Sequence, residues 1–179
     1  MPVTLVRHTT PIGGAARCYG RTDLDIDPDE VAKVAAGLVA DLHPGFGRIV
    51  SSPLRRALSL SELIAKLLGR DVVVDDRFAE MDFGAWEGVP WDEVPRADLD
   101  AWAANLLGFR GHGGESVGDL AKRVAHGLRD LGEEDLVVCH LGVIRAALAA
   151  RGAAEPWTAS VPFGGVVVLP DDARPRPLE

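Results

Sequence analysis

Residues 3–9 read VTLVRHT, a short apolar run followed directly by an arginine and a histidine. The run over 3–6 predicts a buried strand. A similar arrangement stands at 136–140, LVVCH, where His140 follows an apolar run. In open α/β sheets, ligands bind beyond the carboxyl ends of the strands. The two stretches therefore predict an α/β sheet with a polar site at one edge.

The rest of the chain alternates helix-like and strand-like patterns. Apolar residues recur at helical spacing over 28–42, 53–68, 116–131 and 142–150, and short apolar or β-branched runs stand at 49–50, 71–74 and 166–169. Asp27 is the expected N-cap of the first helix. This alternation predicts an α/β fold, a three-layer α/β/α sandwich around a mostly parallel central sheet.

Residues 86–112 break this periodicity. The segment carries Trp86, Trp91 and Trp102 together with two prolines. It predicts a small helical lid insertion over one end of the sheet, within a single domain that spans residues 1–179. The tryptophans have two interpretations that do not exclude each other. They pack the insertion onto the body of the domain, or they face a ligand.

Composition narrows the class of protein. A chain of 179 residues with 47% apolar and 26% charged residues suits one globular domain, a monomer or a homodimer. The 19 Lys+Arg against 27 Asp+Glu give a net charge of −8, which argues against a basic surface for nucleic acid. No apolar run approaches the ~18 residues of a membrane span. Without a signal-peptide pattern or a disulfide framework, a cytoplasmic location is expected.

Four polar clusters follow predicted strands. They are Arg7-His8, the run 51–56 (SSPLRR), Glu80 and His140. Such a set suits phosphoryl transfer. A neutral imidazole is a competent nucleophile near pH 7, arginine forks match phosphate oxygens, and a carboxylic acid can protonate a leaving alcohol. Each residue alone is more often structural, so the prediction depends on their combination.

Six motifs, in order, resemble the histidine phosphatase superfamily, which includes the cofactor-dependent phosphoglycerate mutases. The motifs are LVRHT (5–9), YGRTD (19–23), SSPLRRA (51–57), EMDFGAWEG (80–88), GGES (113–116) and VVCHLGVIR (137–145). One Arg-His pair is weak evidence, but six motifs in the order of the family, spread over most of the chain, form a specific resemblance.

The resemblance implies a role for each matching residue. His8 would be the nucleophile that becomes phosphohistidine, and Glu80 would be the general acid and then the base that activates water. Arg7, Arg56 and His140 would bind the phosphoryl group. Arg56 matches rather than its neighbour because the arginine of the family directly precedes a small residue. Further substrate-binding residues near the mouth of the pocket would be Tyr19, Arg21, Glu115, Ser116 and Leu141.

The same resemblance implies a metal-independent enzyme without a cofactor, acting on a small phosphomonoester. Because His8 must be neutral and Glu80 protonated for the first step, a bell-shaped pH profile is expected. The run CYGRTD (18–23) is similar to the α-ribazole phosphatase branch, which implies α-ribazole 5′-phosphate of cobalamin biosynthesis as the substrate. Residues 13–16, GGAA, replace an asparagine that often contacts phosphate in the family, which puts the substrate in doubt more than the chemistry.

Several alternatives remain open from the sequence. The alternative substrates are a sugar, glycerate or nucleoside phosphate. The alternative functions are a phosphoglycerate mutase and a non-catalytic binding module. Cys139 and Arg145 fit the Cys-x5-Arg loop of cysteine-dependent phosphatases. A zinc site made of His8, His140 and Glu80 is a further alternative, although arginines beside it would repel the cation.

Overall fold

A computed structural model describes residues 2–41 and 46–169. The strands are β1 (Thr4–Arg7), β2 (Ile49–Ser51), β3 (Val72–Val74), β4 (Leu136–Cys139) and β5 (Val166–Val168). The α-helices are α1 (Pro28–Asp41), α2 (Arg55–Leu68), α3 (Arg96–Ala104), α4 (Val117–Arg129) and α5 (Leu141–Ala150). The helices and strands expected from the sequence are all present, with bounds that differ by one or two residues; the expected end of α1 at residue 42 lies outside the described residues.

The five strands form one mixed sheet in the order β3-β2-β4-β1-β5. All neighbours are parallel except β5, which runs antiparallel to β1 at the edge. Parallel pairing brings the carboxyl ends of β1, β2 and β4 side by side, where the His8 N–H donates to the Cys139 carbonyl and the Ser52 N–H donates to the Val138 carbonyl, both at 3.0 Å. The predicted convergence of the strand ends is therefore confirmed.

Alternation along the strands divides the core into two layers. Leu5, Val137 and Cys139 belong to the apolar cluster that includes α4 and α5. Val6 and Val138 belong to the cluster that includes α1 and α2 on the opposite face. Because both faces of the central strands are covered, these strands are continuously apolar rather than alternating. The predicted three-layer α/β/α arrangement is confirmed.

The start of α1 shows how local chemistry defines an element. The Asp27 carboxylate accepts the Asp29 N–H at 2.9 Å, and the Asp27 carbonyl accepts the Val31 N–H at 3.0 Å. This is the geometry of an N-cap, which provides a partner for one of the free N–H groups of the first helical turn. The expected N-cap is confirmed.

The tryptophan-rich segment contains α3 and forms a third apolar cluster. Trp86 is buried there with Cys18 and Val94, and Trp91 and Trp102 pack against them with their rings parallel, 6.3 Å apart between centroids. The packing alternative is therefore correct for Trp86, whereas Trp91 and Trp102 also line the cavity described below. Within the described part of the chain, no helix is long and apolar enough to cross a membrane.

Candidate active site

A cavity of about 330 Å³ lies at the carboxyl ends of β1 and β4. Its polar lining includes Arg7 and His8 from the end of β1, Tyr19 from the following loop, and Glu80 from the loop after β3. Gly142, near the start of α5, closes one side. The strand ends thus bring together residues that are more than 130 positions apart in the sequence.

His8 is buried, with 2% of its surface exposed. Its Nδ1–H donates to the Thr9 carbonyl at 2.6 Å, and because a carbonyl can only accept, the proton must be on Nδ1. Burial, followed by the charges of Arg56 and Arg7, lowers the pKa of His8 to about 3, although the Thr9 hydrogen bond opposes the shift. The Nε2 lone pair is consequently free at neutral pH. Any acid limb due to His8 falls near pH 3 rather than within an ordinary assay range.

Arg7 is held on two sides beside His8. Its Nη1 donates to the Val161 carbonyl at 2.6 Å, and its guanidinium lies 3.9 Å from the centroid of the Phe163 ring. The same ring lies 5.4 Å from the imidazole of His8. Burial lowers the pKa of Arg7, but from so high an ordinary value that the group stays charged at neutral pH. Sequence reasoning missed Phe163, which no motif included.

Arg56 is fully buried in the first turn of α2. Its Nη2 and Nη1 donate to the carbonyls of Gly20 and Thr22 at 2.6 and 2.8 Å. Burial lowers its pKa, and Glu80 is the largest influence in the opposite direction. The neighbouring Arg55 is exposed and pairs with Asp25. Burial therefore distinguishes Arg56 from Arg55.

Glu87 binds the backbone of the loop 20–22, which Arg56 also contacts. Its carboxylate accepts the backbone N–H groups of Gly20, Arg21 and Thr22 at 2.9–3.1 Å, and also the Thr22 hydroxyl. These hydrogen bonds lower the pKa of Glu87 against the effect of burial. The sequence placed Glu87 in a motif but gave it no role. Its contacts make it the anchor of the 20–22 loop.

His140 caps the start of α5 and is completely buried. Its Nε2 lies 2.7 Å from the Ser52 Oγ, and its ring centroid lies 5.0 Å from that of His8. Burial and the nearby positive charges lower the pKa of His140 well below its ordinary value. Both histidines are therefore neutral at neutral pH, which leaves the arginines as the cations of the site.

The Glu80 carboxylate is fixed by two backbone groups. Oε1 accepts the Met81 N–H at 2.9 Å, and Oε2 accepts the Gly142 N–H at 3.1 Å. The second donor belongs to the first turn of α5, where N–H groups lack partners within the helix. A side chain on Gly142 would collide with this carboxylate. The absence of a side chain at Gly142 therefore leaves the space that the Glu80 carboxylate occupies.

Three buried side-chain nitrogens near His8 have no hydrogen-bond partner. They are Nε of Arg7, Nε of Arg56 and Nδ1 of His140. A buried donor without a partner costs free energy of roughly 1–3 kcal/mol, so three in one place require an explanation. Two are guanidinium N–H groups, and the third is an imidazole nitrogen. The oxygens of an anion such as a phosphoryl group match the two guanidinium donors, and Arg7 is the one of these three residues that lines the cavity.

The other predicted substrate-binding residues divide into two groups. Tyr19 and Leu141 line the cavity, whereas Arg21 is exposed outside the lining and donates its backbone N–H to Glu87. Glu115 and Ser116 do not line the cavity. Both carboxylate oxygens of Glu115 are bound by a guanidinium, and Ser116 is the N-cap of α4 in a capping box. Their side chains are thus committed to contacts within the protein.

Sequence reasoning missed much of the cavity wall. Arg17 and Arg145 line the cavity, with Nη1 of Arg17 on the Gly88 carbonyl and Nε of Arg145 on the Ala159 carbonyl. In the sequence, Arg145 had a role only in the alternative Cys-x5-Arg loop, and Arg17 stood next to a motif. The remaining wall is apolar, made of Met81, Phe83, Trp91, Trp102, Leu106, Val117, Leu120, Leu141 and Trp157.

The two alternative kinds of site do not form. Cys139 is fully buried at the end of β4, and burial raises the pKa of its thiol well above the ordinary value, so no thiolate is available for attack. Among residues 2–41 and 46–169, no group of three or more His, Cys, Asp or Glu side chains is arranged to hold a metal ion. The zinc alternative of His8, His140 and Glu80 is therefore wrong.

The chain is similar in sequence to several curated proteins. Bifunctional protein Rv2228c of Mycobacterium tuberculosis is 38% identical over 155 residues, which cover 80% of this chain and 42% of the relative. Glucosyl-3-phosphoglycerate phosphatase of Mycolicibacterium vanbaalenii is 35% identical over 128 residues, which cover 68% of this chain and 55% of the relative. The chain thus spans about half the length of these curated relatives.

Solved structures agree over almost the whole chain. The crystal structure of a phosphoglycerate mutase from Thermus thermophilus has a TM-score of 0.78 and 29% identity, covering 98% of this chain and 96% of its own. The family model for branch 1 of the histidine phosphatase superfamily matches residues 3–169. Of these similar proteins, one is named as a phosphatase and one as a mutase. The chain therefore belongs to branch 1 of the histidine phosphatase superfamily.

Proposed function

We propose that this protein is a metal-independent phosphomonoesterase that works through a phosphohistidine on His8. One observation carries the proposal: the bond from Nδ1 to the Thr9 carbonyl leaves an unprotonated Nε2 in a buried, cation-rich place. A neutral imidazole with a fixed tautomer is ready to attack phosphorus without first losing a proton.

In the first step, the lone pair of His8 Nε2 forms a bond to phosphorus while the bond from phosphorus to the ester oxygen breaks. The Glu80 carboxyl gives its proton to that oxygen, so the product leaves as an alcohol. Arg7, Arg56 and His140 stabilise the negative charge on the three remaining oxygens. In phosphoryl transfer, positioning and electrostatic stabilisation supply almost all of the catalysis.

In the second step, the Glu80 carboxylate takes a proton from water. The water oxygen bonds to phosphorus and the bond from phosphorus to Nε2 breaks, which returns neutral His8 and protonated Glu80. Inorganic phosphate is the second product. Each group ends in its starting state, so the cycle closes without a metal or an external acid.

We propose α-ribazole 5′-phosphate as the first substrate to test. Nine of the sixteen cavity-lining residues are apolar, and Trp91, Trp102 and Trp157 are among them. Aromatic walls favour an aromatic body on the substrate, because flat rings pack well against indole rings. The aromatic base of a ribazole meets this requirement, and so does the base of a nucleoside phosphate.

A second candidate is a phosphomonoester that carries a carboxylate, such as a phosphoglycerate. Its specific support is the pair Arg17 and Arg145 in the cavity lining, because arginine matches carboxylate as well as phosphate. The names of two relatives, a glucosyl-3-phosphoglycerate phosphatase and a phosphoglycerate mutase, fit the same chemistry.

The test is phosphate release from α-ribazole 5′-phosphate beside a panel of nucleoside, sugar and glycerate phosphates, without added metal. His8→Ala is expected to abolish release, whereas replacing the exposed His126 by alanine leaves it intact. Rapid quenching with labelled substrate should trap an acid-labile phosphoenzyme. Hydrolysis that persists in His8→Ala refutes the mechanism. Preference for glycerate phosphates, lost in Arg145→Ala, favours the second candidate, and isomerisation instead of release makes the protein a mutase.

A further inference from the structure

Arg123, in the middle of α4, uses all five of its N–H donors inside the protein. Nη1 donates to the carbonyls of Arg77 and Ala79 at 2.8 and 2.6 Å. Nη2 donates to the carbonyl of Glu80 at 3.0 Å and to Glu115 Oε2 at 2.9 Å, and Nε donates to Glu115 Oε1 at 2.7 Å. A guanidinium in this state is fixed in place and orientation.

The three carbonyls that Arg123 binds belong to residues 77–80, a stretch that begins inside the short 3-10 turn Asp76–Phe78 and ends at Glu80. This backbone lies in neither a strand nor an α-helix, so no regular hydrogen-bond ladder determines its course. The carbonyl of Glu80 itself is one of the three. The direction in which the Glu80 side chain leaves the backbone therefore depends on the guanidinium.

Glu115 completes the arrangement from the other side. Its two oxygens bind the guanidinium edge to edge, with 15% of the Glu115 side chain and 18% of the Arg123 side chain exposed. Its own N–H donates to the Asp82 carbonyl at 2.8 Å, which ties it to the loop that follows Glu80. The pair thus connects α4 to both sides of the catalytic loop. This position also explains why Glu115, expected at the pocket mouth, does not line the cavity.

We propose that Arg123, held by Glu115, is a positioning residue that sets the place of the Glu80 carboxyl through the backbone of residues 77–80. The proposal rests on the proposed function, since it assigns Glu80 the role of acid. The proposal gives the arginines of the site two different roles, binding of the phosphoryl oxygens and positioning of the Glu80 loop. Arg7 and Arg56 have donors left for an oxyanion, whereas every N–H donor of Arg123 is used within the protein.

The control is Arg48, which also pairs with a carboxylate, although its side chain is 51% exposed, and lies at the amino-terminal ends of the strands. Its Nε and Nη2 bind Asp135, with the shortest distance 2.6 Å, and it directly precedes β2 while Asp135 directly precedes β4. Arg48→Lys therefore breaks a bidentate arginine–carboxylate pair far from Glu80. Arg123→Lys keeps the positive charge near His140 but cannot reproduce the planar fork.

The experiment measures kcat/KM for 4-nitrophenyl phosphate, whose leaving group needs little acid assistance, and for alkyl phosphates, whose leaving group needs it. This ratio of constants reports the steps up to formation of the phosphoenzyme, so the second step does not affect it. Arg123→Lys is expected to lower kcat/KM for alkyl phosphates about tenfold more than for the nitrophenyl ester, which is within the range of general acid catalysis. Arg48→Lys should affect both substrates equally.

Three further results decide the matter. In a Glu80→Gln background, Arg123→Lys should add no further dependence on the leaving group, because residues that act as a unit are not additive. Equal losses on both substrates in Arg123→Lys and in Glu115→Gln, the second variant, would overturn the positioning role while leaving Glu80 as the acid. If Glu80→Gln itself shows no dependence on the leaving group, Glu80 is not the acid, and the proposed mechanism and this inference both fail.

Discussion

Replacing Gly142 by alanine tests the placement of Glu80 with the addition of one methyl group. Gly142 lies in the first turn of α5, and its φ is not positive, so alanine suits the backbone. The added Cβ would lie 3.1 Å from the Glu80 Cδ and 3.3 Å from Oε2, and closer still to Oε1. The contact with Oε1 is shorter than real Cβ contacts are, and the other two are tight. The carboxyl must therefore move, and its hydrogen bonds from Met81 and Gly142 must change with it.

The size of the effect follows from the displacement. Relief of the overlap needs a shift on the order of 1 Å, and a misplacement of this size at a catalytic group costs roughly a hundredfold in rate. We therefore expect kcat/KM for alkyl phosphates to fall about a hundredfold, with a smaller loss for 4-nitrophenyl phosphate. Stability should not fall in parallel, because alanine is favoured over glycine within a helix by up to about 1 kcal/mol.

Gly37→Ala is the control for this experiment. Gly37 lies on the exposed side of α1, and a Cβ there would meet nothing within 4 Å. The substitution should raise the free energy of unfolding by about 1 kcal/mol and the Tm by about 2–4 °C, without a change in kcat/KM. If Gly142→Ala keeps wild-type kcat/KM for alkyl phosphates, the reasoning that close contact with glycine fixes a catalytic carboxyl is refuted.

Three other predictions concern buried groups. The pKa of His8 is lowered to about 3 and that of His140 well below its ordinary value, so the unfolded chain binds more protons below pH 6.5. Stability should therefore fall as the pH falls from 6.5, by on the order of 2 kcal/mol at pH 5 from His8 and by a further amount from His140, and urea unfolding of His8→Asn should show a smaller loss than the wild type. Cys139→Ser should retain the rate of phosphate release, because the buried thiol is not a nucleophile; loss of release together with native circular dichroism would contradict this. Glu87→Gln should lower the free energy of unfolding by about 1–3 kcal/mol, since one neutral amide oxygen cannot accept the hydrogen bonds of the Gly20–Thr22 loop, and an unchanged unfolding midpoint would show that the loop does not need this anchor.

The sequence predicted the layers because each element carried its own local signal. Strand β4 is an apolar run of four residues followed by His140, β1 has Leu5 and Val6 directly before Arg7, and α4 has a strong apolar stripe between a capping serine and Arg129. Such a local signal identifies a strand or helix without knowledge of the element that it packs against. The antiparallel direction of β5 had no such signal, because Val166–Val168 is equally compatible with either direction.

Within the motifs, the sequence could not tell which charged side chains face the cavity. Glu80, Glu87 and Glu115 are chemically alike and stand in similar motifs, yet one lines the cavity, one anchors a loop and one pairs with a guanidinium. The outcome depends on which donors lie within reach in three dimensions, and those donors come from distant segments.

Side chains that do not line the cavity hold the loops of the site in place. The site has two irregular loops, one bearing the carbonyls that hold Arg56 and the other bearing Glu80. Neither loop belongs to the sheet, so each is fixed by a half-buried side chain with many hydrogen bonds, Glu87 in the first case and Arg123 in the second. A carboxylate suits the loop that presents N–H groups, and a guanidinium suits the loop that presents carbonyls. The polarity of each anchor is therefore set by the backbone groups it must bind, independently of the charge of the substrate.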